Sequence, residues 1–388
     1  MWYNVAENTK GKIIMKQENK NSNSIFIHKL LKAIADSIIK LFIPLYILKT
    51  TGSVELALGY LSLYSIFVFL FLFLFKKFIQ KYGVLAIILH FIPIIITEAL
   101  FSFCELNFWI ILVSAILMAI TQTLYSVPLN LIFALQDKKV NVAKFQVATN
   151  VGKLIFTLVS GFIISSTIKN SFLILSIVSS IFYILCVIPI LSSYNTLKEE
   201  YTRLKFEEPK IFSNNKWFTI FHITFGCFQA TMDNVVPLYL YVNNLSFQAV
   251  TTLIAVIELL KIAVNYFAKF LVKNKKQKLS CYICAGMFML SLIGIIFIKN
   301  NIALYILSCI CSVSFPLTFV PMFKLFCEQI NNEGCTIWQT TKRDIDIFSC
   351  RPLFYATYYL NMGFYGCFSL GIVCILIMIL CENKLIKN

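Results

Sequence analysis

The sequence predicts an all-α polytopic membrane protein, and three observations support this fold class. The chain has 388 residues, of which 59% are hydrophobic and 13% charged, and its mean hydropathy is +0.80. Soluble domains carry about 25% charged residues, so lipid must solvate much of this surface. The apolar residues form runs of about 20, the length that crosses a bilayer as a helix. Basic residues cluster in alternate segments between these runs.

Eleven apolar runs are predicted to span the membrane as helices, because lipid leaves an open backbone without hydrogen-bond partners. They cover residues 25–47, 54–75, 84–103, 108–135, 147–164, 171–191, 217–242, 247–271, 279–298, 302–323 and 353–380. The eleventh run is too short for two spans, and only a short polar end follows it. We therefore expect bundles of six and five helices, with no twelfth helix.

The distribution of lysine and arginine predicts the orientation of the chain, since these residues favour the cytoplasmic side. Alternate segments are rich in lysine, namely 76–81, 138–144 and 269–278. The intervening short segments hold one basic residue each or none. We expect a cytoplasmic N-terminus, in a plasma or inner membrane. The same bias accounts for the net charge of +16 without a nucleic-acid partner.

Four regions follow from these runs: a cytoplasmic tail (1–24), a six-helix bundle (25–191), a cytoplasmic linker (192–216) and a second bundle of about five helices (217–388). The tail lacks an apolar core followed by a small-residue cleavage site, so we expect no signal peptide. The charged linker follows the sixth run, where two six-helix halves would be joined.

An internal repeat supports two halves of this kind. Four short matches relate residues 43–46 to 236–239, 75–78 to 267–270, 127–128 to 320–321, and 150–152 to 361–363. The first three are separated by 193, 192 and 193 residues, and the fourth by 211. A longer loop before the eleventh run accounts for the larger fourth spacing. A repeat displaced by six spans predicts two halves in the same orientation.

The short loop after the second run is also informative, because it is basic and contains Lys81 and Gly83 at its end. With the repeat and the charged central linker, this loop makes the chain resemble the major facilitator superfamily, although Gln80 stands where that family has an acidic residue. The resemblance implies two bundles around a central cavity, with the substrate site between them near mid-bilayer. It also implies a twelfth helix that is peripheral and here missing.

Charged residues inside the runs are candidate site residues, because each costs about 2.5–3.5 kcal/mol at the bilayer centre unless it faces protein or water. Asp36 and Lys40 share one helix face. Asp233 follows Lys40 by 193 residues, the repeat spacing. The resemblance places both helices on the cavity, so Lys40 and Asp233 are expected to form a breakable ion pair between halves, to bind substrate or to carry a proton. The alternative is that Asp36 neutralises Lys40.

Other polar residues complete the set of substrate or coupling candidates. Glu258 and Lys261 are three apart and are expected to neutralise each other, with a cavity role as the alternative. The remaining candidates are Gln122, Tyr125, Asn150 and Asn361.

Several function classes are disfavoured. The sequence has no GxxxxGK[ST] loop, so ATP-driven pumping is not expected, and it has no HExxH or GxSxG motif of an enzyme. Cys281 and Cys284 form a CxxC pair without a second pair or a histidine cluster, so we expect packing residues and neither a metal nor a cofactor.

The expected function is secondary transport of a small polar solute, with H⁺ or Na⁺ as a candidate coupling ion. This activity needs the lipid bilayer and requires no oligomer. Two alternatives stay open: a lipid flippase of the same fold, and a truncated, non-transporting relative that acts as a receptor or scaffold.

Overall fold

The computed structural model describes residues 23–135, 142–165, 170–202, 216–243, 245–332, 337–360 and 362–386. All regular secondary structure in these ranges is helical. This confirms the predicted all-α fold class.

The first half contains nine α-helices in its described part. They are α1 (23–38), α2 (Ile43–Thr51), α3 (Val54–Leu74), α4 (Lys76–Leu89), α5 (Phe91–Phe103), α6 (Phe108–Leu135), α7 (Val142–Ser165), α8 (Ser171–Ser192) and α9 (Tyr194–Thr202). A 3₁₀ turn separates α1 from α2. Helices α4 and α5 are bent by 44° and together form one span. Pro93 lacks the N–H that would bond to Leu89, which explains a bend at this position.

The second half also contains nine α-helices in its described part. They are α10 (Lys216–Ala230), α11 (Val236–Val242), α12 (Phe247–Lys273), α13 (Gln277–Phe297), α14 (Asn301–Val313), α15 (Phe315–Asn332), α16 (Ile337–Ser349), α17 (Arg351–Ala356) and α18 (Gly363–Leu385). A π turn, Thr231–Val235, joins α10 to α11. A 3₁₀ turn, Thr357–Tyr359, follows α17.

Seven helical segments of the described residues are long and apolar enough to cross a membrane, and the bent α4–α5 pair makes eight. The seven are α3, most of α6, α8, α12, α13, the α14–α15 segment and α18. The α1–α2, α10–α11 and α16–α17 segments are interrupted by turns, and α7 has only a short apolar part. The chain is an integral, multi-pass membrane protein.

The predicted eleventh run, 353–380, is wrong as a single helix. Helices α16 and α17 with the following 3₁₀ turn form one helical segment, and α18 begins after a break at Gly363, whose φ is +55°. The earlier segment is about 34 Å long at 1.5 Å per residue, enough to cross a hydrocarbon core. The described second half therefore has six helical segments, and the six-plus-five division is not confirmed.

The repeat prolines occupy similar local positions in the two halves. Pro44 begins α2 directly after a 3₁₀ turn, and Pro237 begins α11 directly after the π turn. A helix start tolerates proline because its N–H would be unbonded there. Pro128 and Pro321 each lie 20 residues after the first residue of their segments, α6 and α14–α15.

The fourth repeat match, 150–152 with 361–363, is wrong. Gly152 lies inside α7, whereas Gly363 begins α18 with a left-handed backbone. The helical segment that follows α15 in the second half is α16–α17, so the true counterpart of α7 starts well before residue 361. Asn361 itself lies outside the described residues.

The first part of the predicted linker is helical and packs on the loop that follows the second span. The Tyr201 hydroxyl of α9 donates to the Ile79 carbonyl at 2.8 Å. The Tyr201 ring covers Gly83 so closely that a Cβ there would overlap it. The glycine of this loop is thus required by the helix packed on it. The predicted region boundaries stay a prediction, since the tail and residues 203–215 are not described.

The two halves meet along two helix pairs. Helix α7 packs along α12, and α3 packs against α16 and α17. A Cβ at Gly161 in α7 would overlap the side chain of Thr251 in α12, so the two backbones are in close approach there. These interfaces flank the space between the halves.

Candidate functional site

A cavity of about 470 Å³ lies between the two halves. Its lining comes from α1, α2, α3, α6 and α7 of the first half and from α10, α11, α12, α15, α16 and α17 of the second, with the adjoining turns. Pockets for small molecules commonly have volumes of 300–1,000 Å³. The cavity therefore has room for a small solute.

Charged side chains dominate the polar part of the lining, with seven basic groups against four carboxylates. They are Lys29, Lys32, Lys40, Lys153, Lys261, Arg343 and Arg351, and Asp36, Asp233, Glu258 and Asp344. The cavity wall thus carries an excess of three positive charges. Such charges are stable in a membrane only when they face protein partners or water.

One face of α1 supplies four of these charges, because their spacings of three, four and four residues place them in line. Lys32 Nζ donates to Asp36 Oδ2 at 2.6 Å, and Lys40 Nζ lies 3.9 Å from Asp36 Oδ1. The Tyr183 hydroxyl of α8 donates to the same Oδ1 at 2.7 Å. Asp36 is therefore neutralised and hydrogen-bonded within its own half.

The predicted site residue Tyr125 lines the cavity beside this cluster. Lys32 Nζ lies 4.2 Å from the centre of its ring, a cation–π arrangement. Behind it are the fully buried rings of His28 and His90, with centroids 5.7 and 4.7 Å from that of Tyr125. Gln122, one turn earlier on α6, also lines the cavity.

The expected ion pair between Lys40 and Asp233 is absent from the structure, although both line the cavity. The carboxylate next to Lys40 is Asp36, as in the alternative assignment. Asp233 is exposed to the cavity, and no hydrogen bond or ion pair reaches it from a described residue. Its charge acts on Lys261 instead. Lys40 lies in a 3₁₀ turn and Asp233 in a π turn. The two kinds of turn have different numbers of residues per turn. Side chains at repeat-related positions of the two halves therefore point in different directions.

Glu258 and Lys261 form the neutralising pair that their spacing predicts. Lys261 Nζ lies 3.2 Å from Glu258 Oε1. The amide orientation of Asn150 that satisfies all its neighbours places Nδ2 3.1 Å from Glu258 Oε2 and Oδ1 3.1 Å from Asn265 Nδ2. Asn150 belongs to α7 and the other three to α12. This buried cluster thus joins the two halves by hydrogen bonds.

Helices α16 and α17 bring further charges that the sequence analysis missed. Arg343 Nη1 lies 3.1 Å from Asp344 Oδ1, and Ser126 of the first half donates a short hydrogen bond to Asp344. Arg351 donates to the Gln229 side-chain oxygen at 2.7 Å and to the carbonyl of Gly226 at 3.2 Å. Arg351 is therefore anchored by neutral groups, and no described carboxylate forms an ion pair with it.

The missed residues had a recognisable signal. Lys29 and Lys32 lie on the same face of α1 as Asp36 and Lys40, so helical spacing alone points to them. Arg343 and Asp344 lie on a stretch in which Ile345, Ile347 and Phe348 are buried. An amphipathic pattern of this kind predicts a helix even where hydropathy is low.

Contacts between the halves close one end of the cavity, the end at which α2 stops. There α2 packs against α11, and the Phe42 ring lies 6.1 Å from that of Phe247. Lys49 Nζ is 5.3 Å from the same ring. The Tyr359 hydroxyl donates to the backbone carbonyl of Glu55 at 2.6 Å. At the opposite end, Lys76 Nζ lies 4.5 Å from the Trp338 ring.

Comparisons with known proteins agree with this architecture. A sequence profile of the Major Facilitator Superfamily matches residues 25–337. A search of curated protein sequences gives no match.

Solved transporter structures have the same fold. A bacterial homologue of the iron transporter ferroportin, in an outward-facing state with soaked iron, superposes with a TM-score of 0.68 at 12% identity, covering 94% of this chain and 99% of that one. A POT family transporter in complex with a thioalcohol-conjugated peptide gives 0.63 at 11% identity, over 94% and 96%. A D-xylose–proton symporter gives 0.63 at 12%, over 94% and 97%.

The profile covers most of the chain, and the all-helical fold, the cavity between two halves and the transporter neighbours agree with it. The chain is a non-enzymatic membrane transporter that belongs to the Major Facilitator Superfamily.

Proposed function

We propose that the chain is a secondary active transporter that moves a small solute by alternating access between its two helix bundles. The observation that carries this proposal is the charged cavity of about 470 Å³ lined by both halves. A site built from both halves can be exposed to either side when the halves rock about it. The N-terminus is assigned to the cytoplasm of a plasma or inner membrane, from the lysine-rich segments.

Two of the contacts that must change in such a cycle are single hydrogen bonds. Ser126 with Asp344 and Tyr359 with the carbonyl of Glu55 both join the halves. Water can replace either partner when an end opens, so little free energy is lost by separating them. The tight packing of α7 on α12 around Gly161 supports that pair as the contact about which the halves turn.

Asp233 is the proposed coupling residue, with a proton as the coupling ion. It is a cavity carboxylate that no described residue binds by hydrogen bond or ion pair. Its place in the cavity between the two halves supports this role, because the cavity would face each side of the membrane in turn. We expect Asp233→Asn to keep solute exchange but to lose accumulation driven by a pH gradient. Unchanged accumulation would remove Asp233 from the coupling role.

Uptake into proteoliposomes tests the whole proposal. Purified full-length chain is reconstituted and screened with radiolabelled sugars, amino acids and organic acids, with empty liposomes and heat-denatured protein as controls. Saturable, time-dependent uptake of at least one solute is expected.

Two other outcomes of this assay would contradict the proposal. Translocation of a fluorescent phospholipid without solute uptake would favour a flippase. No uptake and no lipid movement would favour a receptor or scaffold. The described second half has six helical segments, which supports transport over a role as receptor or scaffold.

A further inference from the structure

The balance of positive and negative side chains in the cavity wall indicates the chemical class of its substrate. This inference rests on the proposed function. Three of the four cavity carboxylates are already engaged by a cation at hydrogen-bond distance. The engaged pairs are Lys32–Asp36 at 2.6 Å, Lys261–Glu258 at 3.2 Å and Arg343–Asp344 at 3.1 Å. The positive charges outside these pairs decide which solute the cavity favours.

Lys153 is the first of these. It lies on α7, is half-buried, and no hydrogen bond or ion pair reaches its Nζ from a described residue. Lys153 lines the cavity with Lys40 and Glu258, and Glu258 is already bound by Lys261 and Asn150. Lys153 is therefore a cavity cation with no carboxylate partner among the described residues.

Lys40 and Arg351 are the second and third. Lys40 lies 3.9 Å from Asp36, whose oxygens are held more closely by Lys32 and Tyr183. Arg351 donates its described hydrogen bonds to uncharged oxygens, and its guanidinium lies 4.5 Å from the centre of the Phe348 ring. Both side chains line the cavity. One comes from each half, so the excess charge is present on both walls.

A cluster of cations in a low-dielectric site repels itself, and the repulsion is relieved when an anion binds. The carboxylate that opposes this charge, Asp233, is single and acts on Lys261. A cationic solute would find one open carboxylate, Asp233, and would be repelled by Lys40, Lys153 and Arg351. A neutral solute would leave the repulsion in place. The balance therefore favours an anion.

We propose that the transported solute is a small organic anion, a carboxylate or a phosphate ester, whose acidic group binds Lys40 and Lys153. Arg351 on the opposite wall contributes attraction from the second half. An oxyanion accepts charge-assisted hydrogen bonds from ammonium and guanidinium groups, which are stronger than those between neutral groups. The three pairs with carboxylates stay intact on binding, and the solute competes only with the longer contact of Lys40 with Asp36, at 3.9 Å.

Matched solutes that differ only in charge test the proposal. The full-length protein in detergent is heated with succinate or succinamide, and with glucose 6-phosphate or glucose. We expect at least one charged member to raise the unfolding temperature while its neutral partner does not, because a ligand that binds the folded state stabilises it. The two pairs also separate carboxylate from phosphate recognition. Equal stabilisation by both members of every pair would overturn the proposal.

Lys153→Gln is the informative variant, with Lys324→Gln as its matched control. Lys324 pairs with Glu328 at 3.5 Å and does not line the cavity, so the control removes the same charge elsewhere. Loss of one hydrogen bond to a charged group corresponds to a fall in affinity of about ten-fold or more. We expect this fall for the stabilising anion in Lys153→Gln and no change in Lys324→Gln. Unchanged affinity in Lys153→Gln would overturn the assignment.

The unliganded variant gives a second measurement that does not depend on transport. Removing Lys153 relieves repulsion, so the unfolding temperature without solute should stay the same or rise. A large fall would mean that Lys153 has a structural partner, against the proposal. In proteoliposomes, saturable uptake of only neutral or cationic solutes would overturn the proposal of an anionic substrate. The proposed transport function would still hold. Absence of any uptake would overturn the proposed function as well.

Discussion

At the scale of single residues, the cavity shows how charge is tolerated inside a lipid-solvated molecule. Several of its charged groups are paired with neighbours three or four residues away along the chain, as with Lys32 and Asp36 or Lys261 and Glu258. Such pairs keep their geometry while the halves move. Charge can therefore be carried through a conformational cycle without leaving a buried ion unpaired, which would cost several kcal/mol.

Lys40 should be energetically coupled to Asp36 and not to Asp233. We expect a double-mutant cycle of Lys40→Gln with Asp36→Asn to show a clear interaction energy in thermal or denaturant unfolding. The Lys40–Asp233 cycle should be additive within about 0.5 kcal/mol, as for residues without contact. A coupled Lys40–Asp233 cycle would restore the cross-half ion pair that the repeat suggested.

Glu258 should be sensitive to substitution, because it is 4% exposed and binds both Lys261 and Asn150. Removing one partner of a buried pair costs about 3–5 kcal/mol. We expect Glu258→Ala to lower the stability of the purified protein by roughly this amount.

The double variant Glu258→Gln with Lys261→Gln serves as the control, because it leaves no buried charge without a partner. It should be less damaged than Glu258→Ala in the same unfolding assay. Equal loss in the two variants would show that the ion pair itself matters little and that packing around α12 dominates.

At the scale of helices, apolar segments were predictable and polar or broken ones were not. Hydropathy located α3, α8, α12 and α13 because these helices face lipid over much of their surface. It missed α16, where Lys342, Arg343, Asp344 and Asp346 lower the mean while Thr340, Ile345 and Ile347 are buried. The break at Gly363 was hidden, because the residues on both sides of it are apolar. The number of helices predicted from hydropathy was therefore wrong where a helix faces the polar cavity.

The close approach of α7 and α12 makes a prediction at this scale. A β-branched side chain at position 161 would overlap Thr251, and overpacking of this kind costs about 1–3 kcal/mol. Gly161→Val should therefore destabilise the protein, and adding Thr251→Ala should restore part of the loss. Gly286→Val is the control, since an added Cβ there meets nothing within 4 Å. Equal loss of stability in Gly161→Val and Gly286→Val would show that the cost comes from valine in the helix backbone and not from overlap with Thr251.

At the scale of the whole molecule, the sequence predicted the all-α membrane fold and several of the residues that line the cavity. Asp36, Lys40, Gln122, Tyr125, Asp233, Glu258 and Lys261 all line the cavity. Their partners were not predictable, because partner choice depends on the 3₁₀ turn at Lys40 and the π turn at Asp233, which sequence offset cannot show. Asn150 is buried beside the cavity wall, as a partner of Glu258.

Twelve helical segments, six in each half, predict that both ends of the chain lie on the same side of the membrane. Lys20→Cys and Lys384→Cys, the latter at an exposed position, should then react with an impermeant maleimide from one side only, the same side for both. The labelling is carried out on intact cells and on inverted vesicles, in a chain whose exposed Cys104 is replaced by serine. If the two cysteines were labelled from opposite sides, the chain would cross the membrane an odd number of times, as in the prediction of eleven spans.

The polarity of α16 has a consequence for biosynthesis. Each central charge adds about 2.5–3.5 kcal/mol to the free energy of transfer from the translocon into lipid, so this helix is poorly suited to partition on its own. Its charges find Ser126 on α6 and Thr219 on α10, both synthesised earlier. Insertion of α16 therefore depends on helices that have already been inserted into the bilayer. A ribosome that stalls before α18 emerges would expose an unfinished, protease-sensitive intermediate, and quality control would act at this step.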